Sequence, residues 1–255
     1  MIDRHNRIKR RALLIGYSGW DLPEKHQLGG VSYDLINYRK FLMSNEGGAW
    51  DNSEITIIED KDLYNIRTKL TLIKAEQNDM AFVVFSGHGD YDDIDNFCRR
   101  LQISKNDDIS ENDLINLGKR EILILDSCSG KRSDELKESI ETKTVMALES
   151  TEMVQYRKRY EELFMKCPKR NLRFYAAEVG KSAHDTDFGG LYSRFLLNIL
   201  RESPNEMDII TAHKQTAKAV IIKTQFDKNP QVPDCDIIKD GYTLPGKIKL
   251  QRRFV

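Results

Sequence analysis

The 255-residue chain has no excess of either charge, since it contains 40 basic residues (Lys and Arg) and 40 acidic residues (Asp and Glu). This balance argues against a dedicated binder of nucleic acid or of anionic membranes, because such domains usually carry a net basic surface. The longest apolar runs, Ala12–Ile15 and Ala81–Phe85, are far shorter than the roughly 20 residues that a membrane-spanning helix needs. The basic N-terminus precedes an apolar stretch too short for the core of a signal peptide. We therefore predict a cytoplasmic protein without a nucleic-acid or membrane partner.

Cysteine is scarce, and no two cysteines are close in sequence. The four cysteines are Cys98, Cys128, Cys167 and Cys235. Thiols of cytoplasmic proteins are normally reduced. A zinc site built from two pairs of ligands needs a local spacing that is missing here. Each cysteine is therefore interpreted by itself, either as a small buried side chain or as a reactive thiol.

Short apolar runs bounded by turn residues predict buried strands. They are Arg11–Tyr17, Glu54–Ile58, Ala81–Phe85, Glu121–Leu125 and Leu172–Ala176, with a weaker candidate at Thr144–Leu148. Amphipathic patterns between them predict helices at Tyr33–Met43, Asp62–Ala75, Asn112–Leu117, Thr151–Met165, Leu191–Leu200 and Met207–Phe226. This alternation predicts an α/β fold, with a mostly parallel sheet of about six strands and helices on both faces. Lys228–Asp240 is predicted to be an ordered loop before a short last strand near Lys247–Leu250.

Two reactive side chains directly follow two of the predicted strands. His88 stands in Ser-Gly-His-Gly after Ala81–Phe85, and Cys128 stands in Asp-Ser-Cys-Ser-Gly after Glu121–Leu125. The carboxyl ends of neighbouring parallel strands meet at one edge of a sheet, so the two residues would share a cleft although 40 positions separate them. Alone, each residue would more often be a buried thiol or a turn histidine. Together they favour catalysis.

A histidine beside a cysteine can remove the thiol proton and later protonate a leaving amine. We therefore predict Cys128 as the nucleophile and His88 as its acid–base partner. The oxyanion that forms during attack needs hydrogen-bond donors aimed at it. The backbone N–H groups of Gly89 and Cys128 are the predicted donors.

The His88 and Cys128 segments, in this order after apolar strands, resemble the catalytic segments of caspase-like cysteine peptidases. They are closer to metacaspases and related bacterial members than to animal caspases, in which Gln-Ala precedes the cysteine and the histidine lies about 50 residues upstream. A third match, Leu28–Asp34, is similar to the family segment before the first helix. The resemblance covers roughly residues 10–200.

The resemblance implies a caspase-like three-layer sandwich and a single peptidase domain over residues 1–255. Within it we expect a half that carries the catalytic dyad (10–130), a loop and helix insertion with an activation region (131–170), and a C-terminal half (171–255).

The resemblance also implies a substrate-binding pocket. In metacaspase-like members, an acidic residue two positions before the catalytic cysteine and another that opens the first helix line this pocket; these positions are Asp126 and Asp34. A cation best neutralises two partly desolvated carboxylates, so the resemblance implies cleavage of a protein or peptide substrate after Arg or Lys. Glu178 and Asp185 are further substrate-binding candidates. Asp34 would also suit a first helical turn, where the helix dipole favours an acidic residue.

No metal site and no cofactor are predicted. The acidic run Asp90–Asp95 suggests calcium, which some metacaspases need, but it lacks the glycine and the terminal glutamate of an EF-hand loop. A solvated loop is the favoured interpretation. His5, His26, His184 and His213 show no partner pattern and are interpreted as surface or structural residues.

Regulation and biological role rest on analogy with the family. Lys131–Lys143 is predicted to be an exposed activation loop that the enzyme itself could cut. We expect an activator, either a protein or a small ligand, and a role as an effector of stress response or antiphage defence. Two alternatives stay open. One is a protease gated by a small nucleotide messenger, although no glycine-rich phosphate loop is present; the other is a catalytically silent scaffold with a caspase fold.

Overall fold

The computed structural model describes residues 8–93, 97–128, 151–236 and 244–247. In this part of the chain there are five α-helices and eleven strands. The helices are α1 (Val31–Met43), α2 (Leu63–Ala75), α3 (Thr151–Lys166), α4 (Leu191–Glu202) and α5 (Ile209–Thr224). The strands are β1 (Arg10–Tyr17), β2 (Ile55–Glu59), β3 (Asn78–Gly87), β4 (Gly89–Asp92), β5 (Cys98–Gln102), β6 (Asp108–Ser110), β7 (Gly118–Asp126), β8 (Arg170–Tyr175), β9 (Met207–Asp208), β10 (Asp234–Asp236) and β11 (Pro245–Lys247).

Aspartate side chains mark the start of two of these helices. Asp62 accepts a hydrogen bond from the N–H of Asn65 at 2.8 Å and so caps α2. Asp208 accepts one from the N–H of Thr211 at 2.9 Å and caps α5. Each carboxylate satisfies a backbone donor that the first helical turn leaves without a partner.

The central sheet has six strands in the order β10-β8-β7-β3-β1-β2. β10 is antiparallel to β8, and the other neighbouring pairs are parallel. The predicted α/β architecture with a mostly parallel sheet is therefore confirmed. The pairing of β3 with β7 aligns Ser86 with Asp126, which places the carboxyl ends of these two strands side by side.

Alternate side chains of the strands enter two separate apolar cores. On β1, Ala12 and Leu14 face the core that includes residues of α1, α3, α4 and α5. Leu13 and Ile15 face the opposite core, which includes residues of α2. Coverage of both faces explains why the strand sequences are continuously apolar instead of alternating. The three-layer arrangement expected from the resemblance is thus confirmed.

The weaker strand candidate from the sequence is not tested by the described structure. Thr144–Leu148 lies outside the described residues. The edge position in the sheet belongs to β10, inside the Lys228–Asp240 segment that was predicted as a loop. β10 has three residues, which are too few to show the pattern of apolar side chains that predicts a strand. The expected last strand near Lys247–Leu250 is found slightly earlier, as β11, and it pairs with β9 at the start of the predicted helix Met207–Phe226.

A three-stranded antiparallel sheet, β4-β5-β6, immediately follows His88 and was not predicted. Its strands are rich in charged residues, so they lack the apolar pattern on which strand prediction depends. β4 contains the first part of the acidic run Asp90–Asp95, which is therefore partly strand; residues 94–96 lie outside the described part. Gln102 on β5 donates its N–H to the carbonyl of His88 at 3.0 Å. The small sheet thereby supports the backbone at the histidine.

Four charged residues form a cluster at the amino end of the central sheet, which we call the amino-edge cluster: Arg10, Glu54, Arg157 and Glu161. Arg10 and Arg157 each contact both glutamates, at distances from 2.5 to 3.5 Å. Burial alone would raise the pKa of Glu54, but hydrogen bonds from the two arginines lower it below the ordinary value. Burial raises the pKa of Glu161 against the attraction of the same arginines. Both half-buried carboxylates in this cluster have cationic partners.

Candidate active site

His88 and Cys128 line the same cleft at the carboxyl edge of the sheet. They follow β3 and β7, which are hydrogen-bonded neighbours, so the fold brings them together for the reason that the sequence predicted. The residues that line the cleft are Leu28, Val31, Ser86, Gly87, His88, Asp126, Ser127, Cys128, Ala183, His184, Asp185 and Gly190.

The surroundings of His88 assign its ring protons. Its Nε2 lies 2.6 Å from the carbonyl oxygen of His26, in the loop between β1 and α1. A carbonyl oxygen can only accept, so Nε2 carries the proton and donates it. In the neutral ring, Nδ1 is then the nitrogen that can accept a proton. The ring of Tyr17 packs edge-on against the imidazole, with the ring centres 6.2 Å apart.

Cys128 is half-buried, and its Sγ donates a hydrogen bond to the carbonyl oxygen of Ala183 at 3.5 Å. A thiol that donates carries its proton, so attack on a carbonyl requires a base to remove it. Gly89 packs directly against this segment: a Cβ atom at Gly89 would lie 2.8 Å from Ser127 Oγ and 2.9 Å from the carbonyl oxygen of Cys128. The two backbone donors predicted for the oxyanion are therefore on segments in close contact.

Three carboxylates lie in or next to the cleft, and we call them the carboxyl-edge cluster: Asp34, Asp126 and Asp185. Asp34 is on α1 and Asp126 ends β7; both are almost fully buried. Asp185 is in the loop before α4. Asp126, Asp185 and residues around Asp34 line the same cleft as Cys128. Three of the four predicted substrate-binding residues are therefore brought together.

Backbone N–H groups and serine side chains hold these carboxylates, and the side chain of Ser193 as well as its N–H bonds Asp126. Asp34 accepts from Ser86 Oγ at 2.7 Å and from the N–H of Gly190 at 3.0 Å. Asp126 accepts from the N–H of Ser193 at 3.0 Å. Asp185 accepts from the N–H of Gly30 at 3.1 Å. These donors are neutral.

Within the part of the chain that the structure describes, no ion pair reaches any member of this cluster. Burial and the nearby charge of Asp126 raise the pKa of Asp34 well above its ordinary value. Burial raises the pKa of Asp126 to about 6. Burial also raises the pKa of Asp185 to about 6, against the hydrogen bond from the N–H of Gly30. A buried carboxylate that lacks a cation resists ionisation in this way.

Gly190 allows the cluster to be this compact. A Cβ atom at this position would lie 2.3 Å from Asp126 Oδ2, which is closer than any real contact. The same residue donates its N–H to Asp34. Only a residue without a side chain can therefore stand between these two carboxylates.

Glu178, the fourth predicted substrate-binding residue, does not line the cleft. Its backbone N–H donates to the carbonyl of Val232 at 2.7 Å. Its role in substrate binding stays a prediction.

Two histidines that the sequence interpretation set aside take part in the site. His26 contributes its carbonyl oxygen to His88, and His184 lines the cleft. A backbone carbonyl leaves no trace in the sequence, so the contribution of His26 could not be predicted. The sequence could have indicated Ser86 as a residue of the site, because it lies two residues beyond the buried Val84 on the same face of β3.

A mostly parallel α/β sandwich with a thiol and an imidazole in one cleft, and a cluster of carboxylates beside them at the carboxyl edge of its sheet, defines a caspase-like cysteine peptidase. A family model described as the caspase domain matches residues 9–242. The chain therefore belongs to the caspase domain family.

Metacaspase-1B of Aspergillus clavatus is 34% identical over 89 residues, which are 32% of this chain and 21% of that protein. Metacaspase-1 of Saccharomyces cerevisiae is 33% identical over 89 residues, which are 32% of this chain and 20% of that protein. The chain thus spans about a fifth of the length of these curated relatives. The crystal structure of caspase-1 from Spodoptera frugiperda has the same fold, with a TM-score of 0.63 and 14% identity, covering 98% of this chain and 97% of that one.

Among residues 8–93, 97–128, 151–236 and 244–247, no group of three or more His, Cys, Asp or Glu side chains is arranged to hold a metal ion. No helix in this part of the chain is long and apolar enough to cross a membrane.

Proposed function

We propose that this chain is a cysteine endopeptidase that cleaves proteins after Arg or Lys. The observation that carries the proposal is the carboxyl-edge cluster, of which Asp126 and Asp185 line the cleft of Cys128 without a described cation. Ionised carboxylates in a buried site need a partner of opposite charge. The side chain of Arg or Lys at the residue before the scissile bond (P1) supplies such a partner, and a guanidinium can bond a carboxylate through two N–H groups.

In the proposed mechanism, Nδ1 of His88 removes the proton from Sγ of Cys128, and the thiolate attacks the carbonyl carbon of the P1 residue. The N–H groups of Gly89 and Cys128 stabilise the oxyanion. The imidazolium of His88 is stabilised through its Nε2–H, which donates to His26. His88 then gives a proton to the leaving amine, and the C–N bond breaks. Water, deprotonated by His88, finally hydrolyses the thioester and releases the thiol.

The test is hydrolysis of fluorogenic peptides that differ only in P1, with Arg, Lys or Asp. We expect the wild type to cleave the Arg and Lys peptides and the Cys128→Ala variant to lose at least about a thousandfold in kcat/KM. Both proteins are assayed with and without calcium and with cell extract, so that a missing activator is supplied. A preference for Asp contradicts the proposed pocket. Equal rates for wild type and Cys128→Ala in every condition favour the silent scaffold instead.

We also propose that the peptidase acts in the cytoplasm under the control of an activator, in stress response or antiphage defence. Support comes from analogy with the family alone. The segment Lys131–Lys143, proposed for activation by self-cleavage, lies outside the described residues. Intact mass after incubation of wild type beside Cys128→Ala tests this step, and identical masses exclude it.

A further inference from the structure

The loop between β8 and α4 forms one wall of the cleft. One of its residues, His184, makes hydrogen bonds to several other segments. Ala183 accepts the hydrogen bond from Cys128, and Asp185 belongs to the carboxyl-edge cluster. His184 stands between them. Its N–H donates to Oε1 of Gln231 at 3.0 Å, and its carbonyl accepts from the N–H of Leu191 at 2.8 Å.

The ring of His184 is held by the same segment that provides Gln231. Its Nε2 lies 2.9 Å from the carbonyl oxygen of Asn229, and its Nδ1 lies 3.6 Å from Oδ2 of Asp227. Residues 227–231 follow α5 and do not line the cleft. They therefore contact the loop from outside the cleft.

Gln231 is fully buried, and both ends of its amide are used. Oε1 accepts from His184, while Nε2 donates to the carbonyl of Ala176 at 2.9 Å, directly after β8. Its backbone N–H also donates to Oγ1 of Thr224 at 3.0 Å. The side chain thus connects the cleft loop to the end of a central strand. A buried amide with both partners present favours one geometry, because any shift of the loop would leave a polar group unpaired.

We propose that Gln231 is a positioning residue for the P1 pocket: acting through His184, it holds Asp185 at the position relative to Cys128 that a basic P1 residue requires. The inference rests on the proposed function, since it assumes that Asp185 contacts the P1 side chain. Small displacements of substrate-orienting groups cost much of an enzyme's efficiency. The loss should therefore fall on recognition of P1, while the thiol keeps its intrinsic reactivity.

The test compares two reagents that modify Cys128. A peptidyl chloromethyl ketone with Arg at P1 requires the pocket, whereas iodoacetamide does not. In both reactions Sγ forms a bond to carbon and a halide ion leaves. The rates are measured by mass spectrometry of the peptide that contains Cys128, for wild type and for Gln231→Met, which keeps the side-chain volume and removes both amide hydrogen bonds. We expect labelling by the Arg reagent to slow about tenfold and alkylation by iodoacetamide to change less than about twofold.

Gln225→Met is the matched control, because Gln225 is exposed at the end of α5 in the same part of the chain. It should label like wild type with both reagents. His184→Ala removes the ring contacts but keeps the backbone hydrogen bond to Gln231. It should therefore slow labelling by the Arg reagent alone, and less than Gln231→Met does. This variant also tests the inference if Gln231→Met does not fold.

The outcomes separate the positioning inference from the proposed function. If wild type reacts no faster with the Arg reagent than with one carrying Asp at P1, the proposed specificity fails and the inference fails with it. If wild type prefers Arg and both variants keep that preference, only the positioning role is excluded. Equal slowing of both reagents in both variants would show a general loss of structure and also excludes it.

Discussion

Carboxylates shielded from solvent occur at both ends of the central sheet, but their hydrogen-bond and charge partners differ between the two ends. In the amino-edge cluster, two arginines contact both glutamates. In the carboxyl-edge cluster, backbone N–H groups and the side chains of Ser86 and Ser193 are the hydrogen-bond donors, and no described cation pairs with the aspartates. The pKa of Glu54 is lowered and that of Glu161 is raised against the attraction of the arginines, whereas the pKa values of all three aspartates are raised, that of Asp126 to about 6.

The difference indicates that the two clusters serve different purposes. Charges that are neutralised within the chain stabilise the fold, because removal of one partner would leave the other buried and unpaired. Carboxylates that lack an internal cation cost stability until a ligand provides one. We therefore expect substitutions at the amino edge to affect stability and substitutions at the carboxyl edge to affect substrate recognition.

The largest expected effect is at the amino edge. Arg10→Met removes a fully buried guanidinium that contacts Glu54 and Glu161 and leaves both glutamates with one cation fewer. We expect the free energy of unfolding, measured by urea titration with circular dichroism, to fall by about 3–5 kcal/mol. The neighbouring Arg11→Met is the control, because Arg11 pairs with Glu76 near the surface and such a pair contributes about 0–1 kcal/mol. Equal losses for the two variants would contradict the distinction between the clusters.

At the carboxyl edge, Asp126→Asn is expected to separate activity from stability. The amide keeps an oxygen that can accept from the N–H of Ser193 but removes the charge. We expect kcat/KM for an Arg peptide to fall by about a hundredfold, since an uncharged group leaves the substrate cation less well neutralised. The free energy of unfolding at pH 7 should rise, because less charge is buried. A variant that loses stability together with activity would show that Asp126 is primarily structural.

The strand pattern was sufficient to predict how His88 and Cys128 come together. Apolar runs identified five of the six central strands, and parallel pairing places the residues that follow them at one edge. β10 and the small sheet β4-β5-β6 were not predicted, for physical reasons. β10 is very short, and the small sheet is stabilised by pairing between charged strands whose apolar content is low.

The remainder of the site depends on contacts between residues that are distant in sequence. Asp34 and Asp126 were identified through resemblance to a family, but their partners Gly190 and Ser193 are more than 60 positions away from either of them. The contacts of Gln231 with His184 and Ala176 are 47 and 55 positions apart. A lone glutamine, serine or glycine carries no periodic signal, so only the folded structure shows what it contacts.

The contributions of the carboxyl-edge aspartates and of Glu54 to stability should depend on pH in opposite directions. Asp126 and Asp185 have pKa values of about 6 in the folded chain, above the ordinary value near 3.8. The folded state therefore binds more protons than the unfolded state between about pH 4 and 6, and this contribution to stability is lost as the pH rises through 6. Glu54, whose pKa is lowered, contributes stability above its ordinary pKa that is lost as the pH falls.

Urea titrations from pH 4 to pH 8 measure this contrast. We expect the stability advantage of Asp126→Asn over wild type to grow by roughly 2 kcal/mol between pH 4 and pH 7. Glu54→Gln should show the opposite trend, with a deficit relative to wild type that grows as the pH rises. Parallel pH profiles for wild type and Asp126→Asn would show that Asp126 is ionised with an ordinary pKa and would remove the main physical difference between the clusters.

The smallest expected effect concerns a hydrogen bond that supports Asp126 indirectly, through Ser193. The hydroxyl of Tyr38 lies 3.0 Å from Oγ of Ser193, both are fully buried, and the N–H of Ser193 donates to Asp126. Tyr38→Phe removes one hydrogen bond and leaves the ring in the core, which should lower the free energy of unfolding by about 1 kcal/mol. Because Ser193 then loses a contact that fixes its side chain, KM for an Arg peptide should rise about two- to threefold while kcat stays the same. A change confined to stability would mean that the backbone of α4 alone positions Ser193, and the carboxyl-edge cluster would then depend on Gly190 and the helix start instead of on this tyrosine.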